Sequence, residues 1–242
     1  MAKSSKDRDR RAVVEQLRRD QKRSEQRRTI AVISVCALVG LVIIGLAAIP
    51  LIQQNSAAKE PLDKIGASAS SAGCQDVVTK KATGNQEHQQ EGSLIQYADA
   101  PPAFGPHYPV TAPFTRKYYT VDDRPTIPYV VHNLEHGYNL LWYDETIAED
   151  KDQLSAVKAI AKKFEGEKPT DKFIALPWTG DDGKAFPKGA HVAMTHWSAG
   201  GDPSDTSKQQ GVWQYCAKVS GASVRTFTED YPYSDSPEPG AS

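Results

Sequence analysis

No nucleophile elbow, phosphate-binding glycine loop or dinucleotide fingerprint occurs anywhere in these 242 residues. Their absence weakens an enzymatic reading without excluding one. No internal repeat appears either, which argues against a solenoid. Cysteine is scarce, with 3 in the chain. Cys36 lies inside an apolar run, where a thiol is simply a small apolar side chain. Cys74 and Cys216 remain as an even pair and are expected to form a disulfide in an oxidising compartment. Ser71 stands where a lipoprotein signal wants an aliphatic residue, and Cys74 sits well past the apolar run, so Cys74 is not a lipidation site.

Charge of either sign is missing from Thr29 to Ile52. A helix over that stretch reaches about 36 Å, enough for the roughly 30 Å hydrocarbon core of a bilayer. A cleaved signal peptide is the alternative, but its apolar region runs about 7–15 residues and ends at a small-residue site. The longer run here, behind a long charged arm, reads as a retained anchor. Met1 to Arg28 carries 11 Lys+Arg against 5 Asp+Glu, about +6, whereas the rest carries 18 against 25, about −7. The basic cluster Arg18 to Arg28 abuts the apolar run, so the positive-inside bias keeps the N-terminus cytoplasmic and the remainder outside the plasma membrane. The arm's expected partner is the lipid bilayer and not a nucleic acid.

Five segments follow: a basic arm at 1–28, a membrane helix at 29–53, an Ala/Ser/Gly-rich tether at 54–73, a folded domain at 74–228 and a Pro/Ser-rich tail at 229–242. Within the domain, Asp99 to Pro113 is too proline-rich for a helix or central strand and reads as a stiff loop. Tyr138 to Tyr143, Phe173 to Trp178 and His191 to Trp197 read as strands. Thr146 to Glu149 matches a capping box, and Leu154, Val157, Ala161 and Phe164 share one helical face behind it. Lys208 to Val219 reads as a helix carrying Cys216 inward. The predicted class is α+β, a single extracytoplasmic domain with a small sheet and flanking helices.

The densest chemistry is VHNLEHG, Val131 to Gly137. If helical, His132 and His136 lie on one face about 6 Å apart and reach one metal; if extended, about 13 Å separates them. Gly137 and the strand after it favour a short turn, and both geometries stay open. HNLEH also matches the inverted zinc-protease signature, but that needs a helix of several turns and a third ligand. A better set adds His107, held stiffly in GPHYP, to His132 and His136 as ligands for copper or zinc. Glu135 orients a histidine from behind or accepts backbone N–H bonds. Met194 and His196 alternate onto one strand face and would suit copper, although Val192, Met194 and His196 equally form an ordinary inward face. His191 reads as a solvated surface residue, and His88, in NQEHQQEGS, as exposed and idle.

At these residues the chain resembles the family known as the domain of unknown function numbered 3105, chiefly actinobacterial proteins with one N-terminal anchor and one extracytoplasmic domain. The matching residues are Pro101-Pro102, Gly105-Pro106-His107, Val131 to Gly137, VAMTHW ending at Trp197, and PEPGA from Pro237 to Ala241. The resemblance implies no established activity. It carries His107, His132, Glu135 and His136 as signature positions and asks for no histidine at 196. Three functions then compete. The first is a tethered module binding copper or zinc through His107, His132 and His136. The second is an envelope assembly module, partnered by another envelope protein, in which the same residues are structural. The third is a metal-dependent hydrolase using Glu135.

Overall fold

The computed structural model describes residues 3–57 and 59–241, with side chains described for 14–45 and 59–241. The chain divides into two compact units, Met1–Ile52 and Gln53–Ser242. The first is built on one helix, α1 (Lys3–Ala57), so the basic arm continues directly into the apolar run. Val14–Gly45 is long and apolar enough to cross a membrane, with a mean hydropathy of 2.3 in its most apolar window. Ile30, Val32, Leu38, Leu41 and Ile44 point outward from it, each more than half exposed.

The second unit is an α+β domain around one five-stranded sheet. Its strands are β1 (Val78–Lys81), β2 (Asn139–Tyr143), β3 (Phe173–Pro177), β4 (Val192–Ser198) and β5 (Gln210–Cys216), in the order β1-β5-β4-β2-β3. Strands β2 and β3 are parallel, joined by a crossover through α3 (Glu145–Glu149) and α4 (Lys151–Lys163); the other pairings are antiparallel. Side chains alternate across each strand, so β4 sends Val192 and Met194 to one face and Ala193 and Trp197 to the other. The first face packs against Val157 and Ile160 of α4 and Val224 and Phe227 of α5 (Gly221–Asp230). The second packs against Val130, Val131 and Leu134 of α2 (Ile127–Glu135). Every residue of β2 is buried, and Leu140 to Tyr143 give it the apolar run of an interior strand covered on both sides.

Cys74 and Cys216 form the expected disulfide, tying the approach to β1 to the end of β5 across 142 residues. On a chain-entropy argument this linkage contributes about 5 kcal/mol. Three expectations are corrected. Lys208 to Val219 is not a helix but contains β5, because Val212 and Cys216 face the α4 side while Trp213 and Tyr215 face the other way. The helix cap near Thr146 belongs to Asp144, whose side chain accepts from the Ile147 N–H, and α4 has its own cap in Asp150. The packed unit also extends past 74–228. Ile65 and Ala72 are buried ahead of Cys74, and Ser236 is fully buried in the C-terminal segment. Hydrogen bonds hold both segments in place: the Ala67 N–H donates to Val219, and Asn139 Nδ2 donates to the Tyr231 carbonyl.

Candidate metal centre

The VHNLEHG stretch is helical up to its last residues. Pro128 occupies the first turn of α2, where its missing N–H costs nothing, and Val130, Val131 and Leu134 give the helix its buried face. His136 is the C-cap, and Gly137 follows at φ +91. The Gly137 N–H donates to Leu134 and the Tyr138 N–H to Asn133, the pair of bonds that closes a helix at a left-handed glycine. A glycine that ends the helix therefore still leaves His132, Glu135 and His136 on one helical face.

The proline-rich loop is fastened to that helix through Asn133. Its Oδ1 accepts from the Ala112 N–H at 2.9 Å and its Nδ2 donates to the Ala112 carbonyl at 3.1 Å. The loop thereby buries His107 completely. A third segment then joins: the Gln89 N–H donates to the His107 carbonyl at 2.7 Å, and Tyr129 Oη donates to Glu91 at 2.9 Å. These links bring His88, exposed as expected, up to the cluster.

The result is a triangle of imidazoles. The ring centroids of His88, His107 and His132 lie 4.8 Å apart along each side. One carboxylate oxygen, Glu135 Oε2, faces all three, at 3.0 Å from Nε2 of His107 and 3.8 Å from Nε2 of both His88 and His132. Tetrahedral bonds of about 2.0–2.1 Å would set ligand atoms about 3.3–3.4 Å apart. The observed separations straddle that spacing.

The proton placement sharpens this. His107 Nδ1 lies 2.8 Å from the Gly105 carbonyl, which can only accept, so Nδ1 is the donor of that bond. Nε2 of the same ring lies 3.0 Å from Glu135 Oε2. Neither buried atom makes a hydrogen bond. At that distance a shared cation, either a proton or a metal ion, joins a ring nitrogen to a carboxylate oxygen favourably. Burial, with the neighbouring imidazoles of His136, His107 and His88 adding to it, pulls His132 down to about 4. For Glu135 burial acts upward, but His107, then His132 and His88, outweigh it and hold the carboxyl below its usual range. A neutral His132 beside an ionised Glu135 is the protonation state that metal binding requires of those two groups.

The remaining expected residues lie elsewhere. His136 does not join the His107–His132 pair; its Nε2 turns to Glu238 Oε2 at 3.5 Å, although its ring stays 4.4 Å from that of His132. Met194 packs in the α4-side core. His196 is fully buried, its ring nitrogens 3.3 Å from the Tyr138 carbonyl and 2.8 Å from the Asp235 carbonyl, away from the triangle. The inward face expected of β4 is present, but it serves packing. His191 is partly exposed and pairs with Asp144 at 2.8 Å. Beside the triangle opens a polar cleft of about 430 Å³, lined by His88, Glu135, Trp197, Gln209 and Glu238 among others.

The model of a family described as "Protein of unknown function (DUF3105)" matches residues 88–242. The chain belongs to this DUF3105 family. The matched span begins at His88 and takes in the whole histidine–glutamate cluster together with Glu238. No curated protein and no solved structure matches the chain.

Proposed function

We propose that this DUF3105 protein is a membrane-anchored module whose outer-face domain binds one divalent transition metal, Zn²⁺ or Cu²⁺, through His88, His107, His132 and Glu135. The observation that carries the reading is the buried Nε2 of His107, 3.0 Å from an equally buried carboxylate oxygen of Glu135, neither of them in a hydrogen bond. Three imidazoles and a carboxylate suit these ions. Soft ligands are absent from the cluster among the described residues: Met194 is in the core, Cys74 and Cys216 are bonded to each other, and Cys36 lies in α1. Cu⁺ is correspondingly disfavoured.

Four protein ligands fill a tetrahedron, which favours holding the ion over hydrolysing a substrate at it. The orientation rests on the basic Arg18–Arg28 cluster before the apolar run and on the disulfide, both of which suit an N-terminus inside and a domain outside the plasma membrane. The test is metal analysis of the full-length protein, extracted in detergent and purified on a tag without histidines. We expect at least one equivalent of zinc or copper to survive desalting, and His132→Gln to lose it. Metal-free wild-type protein that takes up neither ion would end the reading and leave the cluster as a structural clamp between loop and helix.

A further inference from the structure

We infer that Glu135 bridges to a second, exchangeable divalent-cation site completed by His136 and Glu238, making the centre dinuclear. This deepens the single-ion reading above and rests on it.

Glu135 belongs to two groups at once. Its carboxylate lies within 4.8 Å of ligand atoms from His88, His107 and His132 on one side, and of those from His136 and Glu238 on the other. Two histidines four residues apart on one helix sit one above the other, and Glu135 stands between them on the same face. One therefore serves each group: His132 faces the triangle while His136 Nε2 lies 3.5 Å from Glu238 Oε2. A carboxylate has two oxygens and can bridge ions roughly 3.5–4 Å apart, the spacing of two-metal sites.

Glu238 is not a stray surface acid. Its backbone N–H donates to the Glu135 carbonyl at 2.9 Å, fixing it beside the helix end. Lys172, itself buried, holds the same segment down: its ammonium donates to the carbonyls of His136 at 2.7 Å, Pro239 at 3.1 Å and Ala241 at 2.7 Å. Glu135, the residue common to both groups, has a buried Oε2 without a hydrogen bond, 3.0 Å from the fully buried His107 Nε2.

The two positions differ in character. The triangle offers four ligands, two of them buried imidazoles, and so a closed and tight site. The second offers three, with the Glu238 side chain 55% exposed, and both glutamates line the 430 Å³ cleft. Three protein ligands leave a coordination position for water or a small anionic or carbonyl ligand entering from that cleft.

The test is a Zn²⁺ titration of full-length, metal-stripped protein in detergent, comparing wild type with Glu238→Gln and His132→Gln and checking each fold by its melting curve. We expect wild type to take up two equivalents, the second at least tenfold more weakly. Glu238→Gln should keep the tight equivalent and lose the weak one. One equivalent in wild type would overturn the second site and leave the single-ion reading standing. Two equivalents in Glu238→Gln would equally overturn it. No uptake by wild type would overturn both.

Discussion

Nε2 of His107 and Oε2 of Glu135 stand 3.0 Å apart, both buried and neither in a hydrogen bond, while Nδ1 of the same ring meets the Gly105 carbonyl. That relationship makes Glu135 more than a helix-surface acid. Glu135→Gln keeps the side-chain shape but removes the charge, and an amide N–H₂ can donate to the waiting lone pair of His107. We expect metal affinity to fall at least a hundredfold, read by competition with a chromogenic chelator. The melting temperature of the metal-free protein should hold steady or rise. A variant that binds as tightly as wild type would remove Glu135 from the ligand set.

His196 provides the contrasting case. It is as deeply buried as His107, yet carbonyl oxygens meet both of its nitrogens. Replacing it by leucine strands the carbonyl that its single ring N–H serves, at a cost of about 1–3 kcal/mol in stability. Metal affinity should not change. Equilibrium unfolding in urea and a chelator competition, run on the same preparation, separate the two effects.

Acid sensitivity of the metal-free protein follows from burial. His132 is pulled down to about 4 in the folded domain, and His196 is lowered in the same direction by desolvation. The unfolded chain takes up protons near pH 6.5 that the folded domain still refuses. The unfolded state therefore binds more protons, and stability declines as pH drops from about 6.5, with the share of His132 ending near 4. Urea unfolding between pH 7.5 and 4.5 should show this slope, and His132→Gln should flatten it in part. An unchanged slope would assign the acid limb elsewhere.

Gly137 couples the helix end to the C-terminal segment. At φ +91 a side chain is already strained, and a Cβ there would run into the Tyr233 carbonyl and the Ser236 hydroxyl. Gly137→Ala should lower stability by about 1–3 kcal/mol and push away the segment that carries Glu238. In a zinc titration the weaker uptake should suffer while the tighter one persists, which a general loss of fold would not produce.

Much of the fold is legible in the sequence because it is local. The apolar run Leu140 to Tyr143 of β2 and the Val157 and Ala161 face of α4, continued by Phe164 at its cap, are set by near neighbours. Strand β5 is not, because Val212, Cys216 and Val219 fall at i, i+4 and i+7, a spacing that a helix face and an alternating strand share over its first step. Only pairing with β4 and β1 decides between them. The site divides in the same way. His107, His132 and Glu135 announce themselves by density and by proline stiffening. His88 sits in a polar stretch with no period, and its place is fixed by the bond from Gln89 to a loop residue distant in sequence. Glu238 has one sequence signal, the PEPGA match, which marks the segment without assigning it a ligand.

The ion's own surroundings decide whether His88, His107, His132 and Glu135 hold it. X-ray absorption at the zinc or copper edge of the full-length protein loaded with one equivalent reports those neighbours. The account expects three imidazole nitrogens, with their characteristic multiple scattering, and one carboxylate oxygen, at about 2.0–2.1 Å for zinc. A shell of oxygens alone, or an imidazole signal that survives simultaneous replacement of His88, His107 and His132, would contradict it.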